Sequence, residues 1–369
     1  MRIAILDKLR GNLSLHDKYL KAFYNSYLKN SKFNENKEDN IREEEKILEK
    51  HKFSEVQELK ERLIELKYNV KVINSDDDNK FYNKIKEFEP ELVINVSEEK
   101  EIILLEKLSI PYTGSDLEAM ILSSDKYKTK RTVKDVDSLS IAEDYLIGNI
   151  KEINNFINNV QKTKKNFIAK PNLGRGSAGI CEYSIIKREL FWDANKKENI
   201  EKIKKHLNTI LFDLKQPVLV EELICEGFLN DYNKENFKEV TVGLLGYENP
   251  KVLMPLEIRK KNPILTFNAK MNDEAEFIVP ADIGSKLRKK LEEATIKVYK
   301  HIGSRDYLRM DLIIHKDNIY FLETNTAPGL MMNHLNNKVA NSYLGIMAEK
   351  EGINLIEEIV KIAKKRYNL

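Results

Sequence analysis

The segment Arg309-Met310-Asp311-Leu312-Ile313-Ile314-His315, then Lys316-Asp317-Asn318, then Ile319-Tyr320-Phe321-Leu322-Glu323-Thr324-Asn325 constrains this chain more than any other. Both arms alternate apolar and polar residues, the period of a strand with one buried face, and the polar stretch between them is short enough for a hairpin. The spacing predicts strands near 310–315 and 319–323, turning at Lys316 to Asn318. In that pairing Asp311 and Glu323 lie opposite each other, and Arg309 and Asn325 extend the same polar patch by period two. Two carboxylates and an amide oxygen held together suit hard, oxygen-seeking Mg2+, above all beside nucleotide phosphates. The same residues also suit a cross-strand arginine–carboxylate network, and geometry alone leaves both readings open.

A second signal lies upstream. Phe167-Ile168-Ala169-Lys170-Pro171 reads as a strand, and Asn172-Leu173-Gly174-Arg175-Gly176-Ser177-Ala178-Gly179 follows it. Glycines at 174, 176 and 179 let the backbone approach closely, so that successive N–H groups can converge on phosphate oxygens, with Lys170 adding an ammonium. No helix signal follows directly, so this is neither a Walker loop nor a dinucleotide fingerprint, and a plain hairpin turn also explains the glycines.

Around these segments the chain alternates strand and helix. Short apolar strands are expected near 3–6, 70–74 and 92–96, with helices near 15–28, 53–66 and 79–88, which argues for a small parallel sheet. After the turn Ile110-Pro111-Tyr112-Thr113-Gly114-Ser115, a helix is expected to carry Ser124-Asp125-Lys126, with Leu117, Met120 and Ile121 as a core stripe. Strands near 167–170, 218–221, 240–246 and 252–258 and a closing amphipathic helix near 353–367 complete three consecutive units. Residues 29–50 are dense in Lys, Asn and Glu and read as an exposed insertion.

Composition narrows the classes further. Over 369 residues, 41% are apolar and 33% charged, which suits a folded soluble protein and not a disordered one. The 62 basic and 59 acidic side chains leave a formal charge of only +3, so no nucleic-acid partner is indicated. No apolar run reaches the length of a membrane span, no signal peptide is expected, and no membrane partner is foreseen. The two cysteines, Cys181 and Cys225, lack zinc-ligand spacing and read as reduced thiols in a cytoplasmic protein.

Taken in order, the strand ending in Lys170-Pro171, the glycine-rich loop, Val218-Leu219-Val220-Glu221-Glu222-Leu223, Arg309-Met310-Asp311 and Phe321-Leu322-Glu323-Thr324-Asn325-Thr326-Ala327-Pro328-Gly329 resemble the ATP-grasp superfamily. Within it, Pro111–Ser115, Ser124-Asp125-Lys126, Lys238-Glu239-Val240-Thr241-Val242 and Leu322–Leu330 resemble the D-alanine–D-alanine ligases. The resemblance spans most of residues 90–365. It implies an α/β (α+β) fold in three units. An N-terminal small parallel-sheet domain over 1–122 precedes ATP held between a central subdomain, 123–224, and a C-terminal subdomain, 225–369.

The implied activity is ATP-dependent amide formation between a carboxylate and an amine through an acyl-phosphate, releasing ADP and phosphate. The implied cofactors are ATP and Mg2+, two ions, with Mn2+ able to substitute. Lys126 and Lys170 then face the phosphates, and Gly174, Gly176, Ser177 and Gly179 lie over them. Glu221, Glu222 and Ile224 meet adenine, largely through backbone groups, and Glu239 the ribose. Lys270 points to the γ-phosphate, Asp311, Glu323 and Asn325 hold the metal, and Arg309 stabilises the tetrahedral intermediate. The catalytic set is therefore Arg309, Lys270 and Ser177. Gly329, Asn333 and His334 are candidate substrate contacts, and a homodimer is expected by analogy.

The sequence departs from that family where it recognises substrate. Lys8–Ser14 stands in place of an acidic motif, Asn95-Val96-Ser97-Glu98-Glu99 in place of a histidine–glycine–acidic segment, and Gly176 in place of a loop serine. Met271 replaces a tyrosine, and Met331-Met332-Asn333-His334 a hydroxyl-rich stretch. These changes point to small-molecule partners other than two D-alanines, such as another amino acid or a peptide. The alternatives are a true D-alanine–D-alanine ligase-type enzyme with divergent recognition and a non-catalytic ATP-binding regulatory protein.

Overall fold

The unbroken apolar run Ile3 to Leu6 forms the middle of strand β1 (Arg2–Asp7), whose Ile3, Ala4, Ile5 and Leu6 are wholly buried in the computed structural model of the chain. The structure describes residues 1–7, 55–74, 78–96, 99–160, 167–173, 204, 207–213, 215–222, 224, 237–260, 275–331 and 342–369. The expected helix near 15–28, the charged stretch 29–50, Cys181 and Cys225 lie outside these residues.

β1 sits between β2 (Asn69–Asn74) and β3 (Leu92–Ile94) in a three-stranded, all-parallel sheet of order β2-β1-β3. Such sheets are covered on both faces, which is why β1 reads as a continuous apolar run. Ile3, Ile5, Leu92 and Ile94 pack with Leu59 and Leu63 of helix α1 (55–65). Ala4, Leu6 and Val93 pack with Phe81 and Ile85 of α2 (Asp78–Phe88) and with Ile102 and Leu105 of α3 (Glu99–Lys107). β3 is shorter than the expected 92–96, ending where the buried Asn95 donates its N–H to Thr113 Oγ1 at 3.1 Å.

The helix expected across Ser124-Asp125-Lys126 is two helices, α4 (Leu117–Ser124) and α5 (Lys126–Val133). Asp125 is the C-cap of one and the N-cap of the other; its extended backbone breaks the helix and its carboxylate accepts from the Lys128 N–H. In α4, Met120 is buried, but Ile121 is 52% exposed and does not belong to the expected core stripe.

Next come β4 (Leu139–Ser140), β5 (Asp144–Ile147), α6 (Ile150–Val160), β6 (Phe167–Pro171) and β7 (Val218–Glu222). β5, β7 and β6 form an antiparallel three-stranded sheet in that order, and α6 packs on it through Ile153, Phe156 and Ile157.

The largest sheet has the order β11-β10-β8-β12-β13-β4, with β9 paired to β8. Its remaining strands are β8 (Phe237–Leu245), β9 (Lys251–Val252), β10 (Leu256–Lys260), β11 (Ala275–Ile278), β12 (Tyr307–His315) and β13 (Asn318–Asn325). The single strand expected at 252–258 is interrupted at Pro255, which has no N–H to donate to a ladder. One face, with Val240, Val242, Leu308, Met310, Leu312 and Ile314, packs on α7 (Ser285–Ile302) and on Ala119 and Val133. Residues 117–140 pack on this sheet through α4, α5 and β4. Against the other face lie α8 (Tyr343–Lys350) and α9 (Leu355–Tyr367), which share a core with the small parallel sheet. Gly243 makes room there, since a Cβ at this position would lie 2.6 Å from Leu344 Cδ1.

Candidate active site

β12 and β13 are the hairpin expected from the alternation, and the register pairs Arg309 with Asn325, Met310 with Thr324 and Asp311 with Glu323. The route to that register differs from a simple alternating ladder. The loop has two residues, Lys316 and Asp317, both with positive φ (50° and 65°), the geometry whose twist matches a hairpin. The register then shifts between Asp311 and Leu312, leaving an extra residue in β13 next to Leu322. Phe321 and Thr324 are both buried, so the bulge moves Glu323 off the core face and onto that of Arg309 and Asp311.

On that face the charges are already engaged. Arg309 donates to both Asp311 oxygens, at 3.0 Å from Nε and 2.9 Å from Nη2, and its guanidinium stacks 5.3 Å over the Tyr343 ring. Burial works against the Arg309 charge, but Asp311 outweighs it and its pKa is raised. Thr241 of β8 donates to Asp311 Oδ1 at 2.6 Å, a contact the sequence does not signal because Thr241 looks like an ordinary strand residue. Asn325 Oδ1 accepts from the Ala327 N–H at 3.0 Å, which fixes the carboxamide at the strand end. Glu239, two residues before Thr241 on β8, faces the same side.

Helix α5 brings a second charged group to this edge. Lys126 Nζ lies 4.0 Å from Glu323 Oε2, and Ser123 Oγ donates to Thr324 O at 3.0 Å, tying α4 to β13. Burial lowers the Lys126 pKa, with Glu323 opposing. From the antiparallel sheet, Lys170 of β6 forms an ion pair with Glu221 Oε2 of β7, and Lys130 of α5 forms one with Oε1 of the same carboxylate. Burial favours a neutral Glu221, yet the two ammoniums outweigh it and hold its pKa at about 2. Lys170 is likewise raised despite burial, by Glu221 first and Glu323 next.

α5 is also clamped to the end of β6. Lys126 N–H donates to Asn172 O at 3.2 Å, Tyr127 N–H to Asn172 Oδ1 at 2.9 Å, and Asn172 Nδ2 to Asp125 Oδ1 at 2.9 Å. Lys126 and Lys170, 44 positions apart in the sequence, are thereby locked side by side. Glu222 continues β7, its N–H bonded to Glu143 O at 2.7 Å, and Ile224 is half-buried just beyond.

The structure therefore brings Glu239, Arg309, Asp311, Glu323 and Asn325 to one face of the large sheet, with Lys126 of α5 beside Glu323 and Lys170 and Glu221 of the small antiparallel sheet next to it. It adds Lys130 and Thr241. Gly329 lies beside the N-terminal unit: a Cβ there would be 3.6 Å from Glu55 Oε1, and the Leu330 N–H donates to that oxygen at 2.7 Å. Gly174, Gly176, Ser177, Gly179, Lys270, Asn333 and His334 lie outside the described residues.

Among the described residues no group of three or more His, Cys, Asp and Glu side chains converges on a metal position. Asp311, Glu323 and Asn325 offer two carboxylates and an amide, all oxygen donors. Such a partial set fits Mg2+, which completes its shell with phosphate oxygens and water.

Two sheets gripping a seam of lysines and oxygen donors define an ATP-grasp ligase, an ADP-forming enzyme that makes C–N bonds with ATP and Mg2+. The family described as D-ala D-ala ligase C-terminus matches residues 193–361. The D-alanine–D-alanine ligase of Carboxydothermus hydrogenoformans is 31% identical over 265 residues, covering 70% of this chain and 74% of that one. D-alanine–D-alanine ligase B of Clostridium tetani is 28% identical over 304 residues, covering 78% and 76%. The chain belongs to the D-alanine–D-alanine ligase family. A crystal structure of the D-alanine–D-alanine ligase from Bacillus anthracis, complexed with ATP, shares the fold at a TM-score of 0.64 and 16% identity, over 99% of this chain and 98% of that one.

Proposed function

We propose that this ATP-dependent carboxylate–amine ligase joins amino acids, with D-alanine as the first candidate for both partners. The relatives named as D-alanine–D-alanine ligases favour this reading over the non-D-alanine pair that the sequence departures suggest. The observation that carries the chemistry is the meeting of Arg309, Asp311, Glu323 and Asn325 on one sheet face with Lys126 and Lys170 at its edge. Phosphoryl transfer to a carboxylate requires aligned anions and neutralised charge more than covalent help. In this reading Lys126 and Lys170 grip the phosphates, and Glu221, Glu222 and Ile224 border the adenine. Glu239 takes the ribose. Asp311, Glu323 and Asn325 would hold Mg2+, which supplies positive charge to the phosphates when bound. Arg309 holds the oxyanion that forms when the amine attacks the acyl-phosphate. Lys270, Ser177 and the glycines at 174, 176 and 179 complete the phosphate site by resemblance, and Gly329, Asn333 and His334 border the second substrate. A homodimer acting in the cytoplasm is part of the same proposal; no described helix is long and apolar enough to cross a membrane.

A second reading, another amino acid or a peptide in place of one D-alanine, is favoured by the residues standing at Lys8–Ser14 and Met331–His334. The test is incubation with ATP, Mg2+ and D-alanine, alone and paired with other amino acids, reading phosphate release and product mass. A dipeptide of D-alanine formed with equal ADP is the expected result. Turnover only with another pair would replace D-alanine by that pair, and ATP binding with no turnover on any pair would overturn the ligase reading.

A further inference from the structure

Lys130 has no role in the chemistry described so far, yet its side chain is wholly buried between three elements. It stands one helical turn after Lys126 on α5, so both ammoniums leave the same face. Its Nζ pairs with Glu221 Oε1 on β7 and donates to Phe321 O on β13 at 3.4 Å, just before the bulge that turns Glu323 outward. The other Glu221 oxygen takes Lys170. Among the described residues the seam thus holds Lys126, Lys130 and Lys170 against Glu221 and Glu323, while neighbouring Asp144 and Asp125 have Arg131 and Lys128 as their own partners, and one positive charge is left over. A buried carboxylate with a single lysine partner would consume that lysine's charge; shared between two, it leaves a net cation for an incoming anion.

We propose that Lys130 is a positioning residue of the ATP site. It neutralises Glu221, so that the charge of Lys170 remains available to the triphosphate, and it ties β7 to β13 ahead of Glu323. The role is electrostatic and acts through Glu221, so its effect must depend on the ligand's phosphates and on the Glu221 charge.

The experiment measures ATP and adenosine binding by calorimetry without metal, for wild type, Lys130→Met, Glu221→Gln and the double variant, with a thermal melt of each. Wild-type ATP binding is the control: its absence would count against the ATP site itself and not against Lys130 alone. Lys130→Met is expected to weaken ATP tenfold or more and adenosine by less than twofold, and the double variant to recover most of that loss. Equal weakening of ATP and adenosine, or a double variant no better than Lys130→Met, would overturn the proposal. Should Lys130→Met fail to fold, the smaller change Lys130→Gln decides with the same two ligands: a tenfold loss for ATP with adenosine within twofold supports the role, and equal weakening of both rejects it.

Discussion

Arg309 carries both readings that the hairpin left open. It is half of a bidentate pair with Asp311, the ion-pair network that strands use, and it lies on the face that holds Glu323 and Asn325. The pairing keeps the guanidinium ordered and charged without committing it to a surface role, because stacking on Tyr343 and burial hold it at the seam. Arg309→Ala is therefore expected to bind ATP within a few-fold of wild type and to lose amide formation by about a hundredfold or more, the scale of a missing oxyanion donor. Binding by calorimetry and product yield by mass spectrometry check it; an unchanged yield would remove Arg309 from the mechanism. Thr241 shows the opposite case. Nothing in its sequence neighbourhood distinguishes it, since its contact with Asp311 depends on which strand lies beside β12.

The hairpin was legible as an element because period-two alternation survives in both arms, and the pairing of Asp311 with Glu323 was legible because within the arms only the open ends carry charge. Its turn was not. A three-residue turn and a two-residue turn followed by a bulge give the same Asp311–Glu323 pairing, and composition does not separate them. The two-residue turn places Lys316 and Asp317 at positive φ, a conformation that costs roughly 1 kcal/mol for an ordinary residue and little for Asn or Gly. Lys316→Asn with Asp317→Gly is expected to raise stability by about 1 kcal/mol in urea melts and leave turnover unchanged. A loss of stability would mean that these side chains hold the turn by contacts that outweigh the backbone term. The split of α4 from α5 is not legible in the sequence for a related reason: Asp125 is a plausible surface residue inside a helix, and only its bonds to Asn172 set it apart.

At the scale of the whole molecule, the turn at Gly114 is joined to the start of β12 through a buried carboxylate. Asp306, just ahead of β12, is fully buried; its Oδ2 accepts from Gly114 N–H and from Arg366 of α9, both at 2.8 Å. Burial, outweighing Arg366 and the Gly114 bond, pushes its pKa up to about 6. A carboxyl whose pKa is higher folded than unfolded holds its proton more tightly in the folded state. Its stabilising contribution is thus complete below the ordinary value of about 4 and is lost as pH rises through about 6. Asp306→Asn, which suits the positive φ of 61° at this position, is expected to flatten the stability profile between pH 4 and 6 by on the order of 2–3 kcal/mol. Denaturant melts across that range check it; an unchanged slope in the variant would mean that another group titrates there.

What the amino-acid sequence determined by itself was local: apolar runs and alternation that set strand or helix, and an ordered set of charged and glycine-rich segments that set the chemistry of an ATP-dependent ligase. Those signals are carried by residues close together in the chain. The tertiary structure alone decided which of them meet. The packing of α5 between two sheets put Lys126 against Glu323, and the burial of Lys130 made Glu221 a counter-ion shared with Lys170. The physical reason is that these ion pairs join positions 51 to 197 apart in sequence, where local propensity has no reach and the burial of charge sets which partners are required.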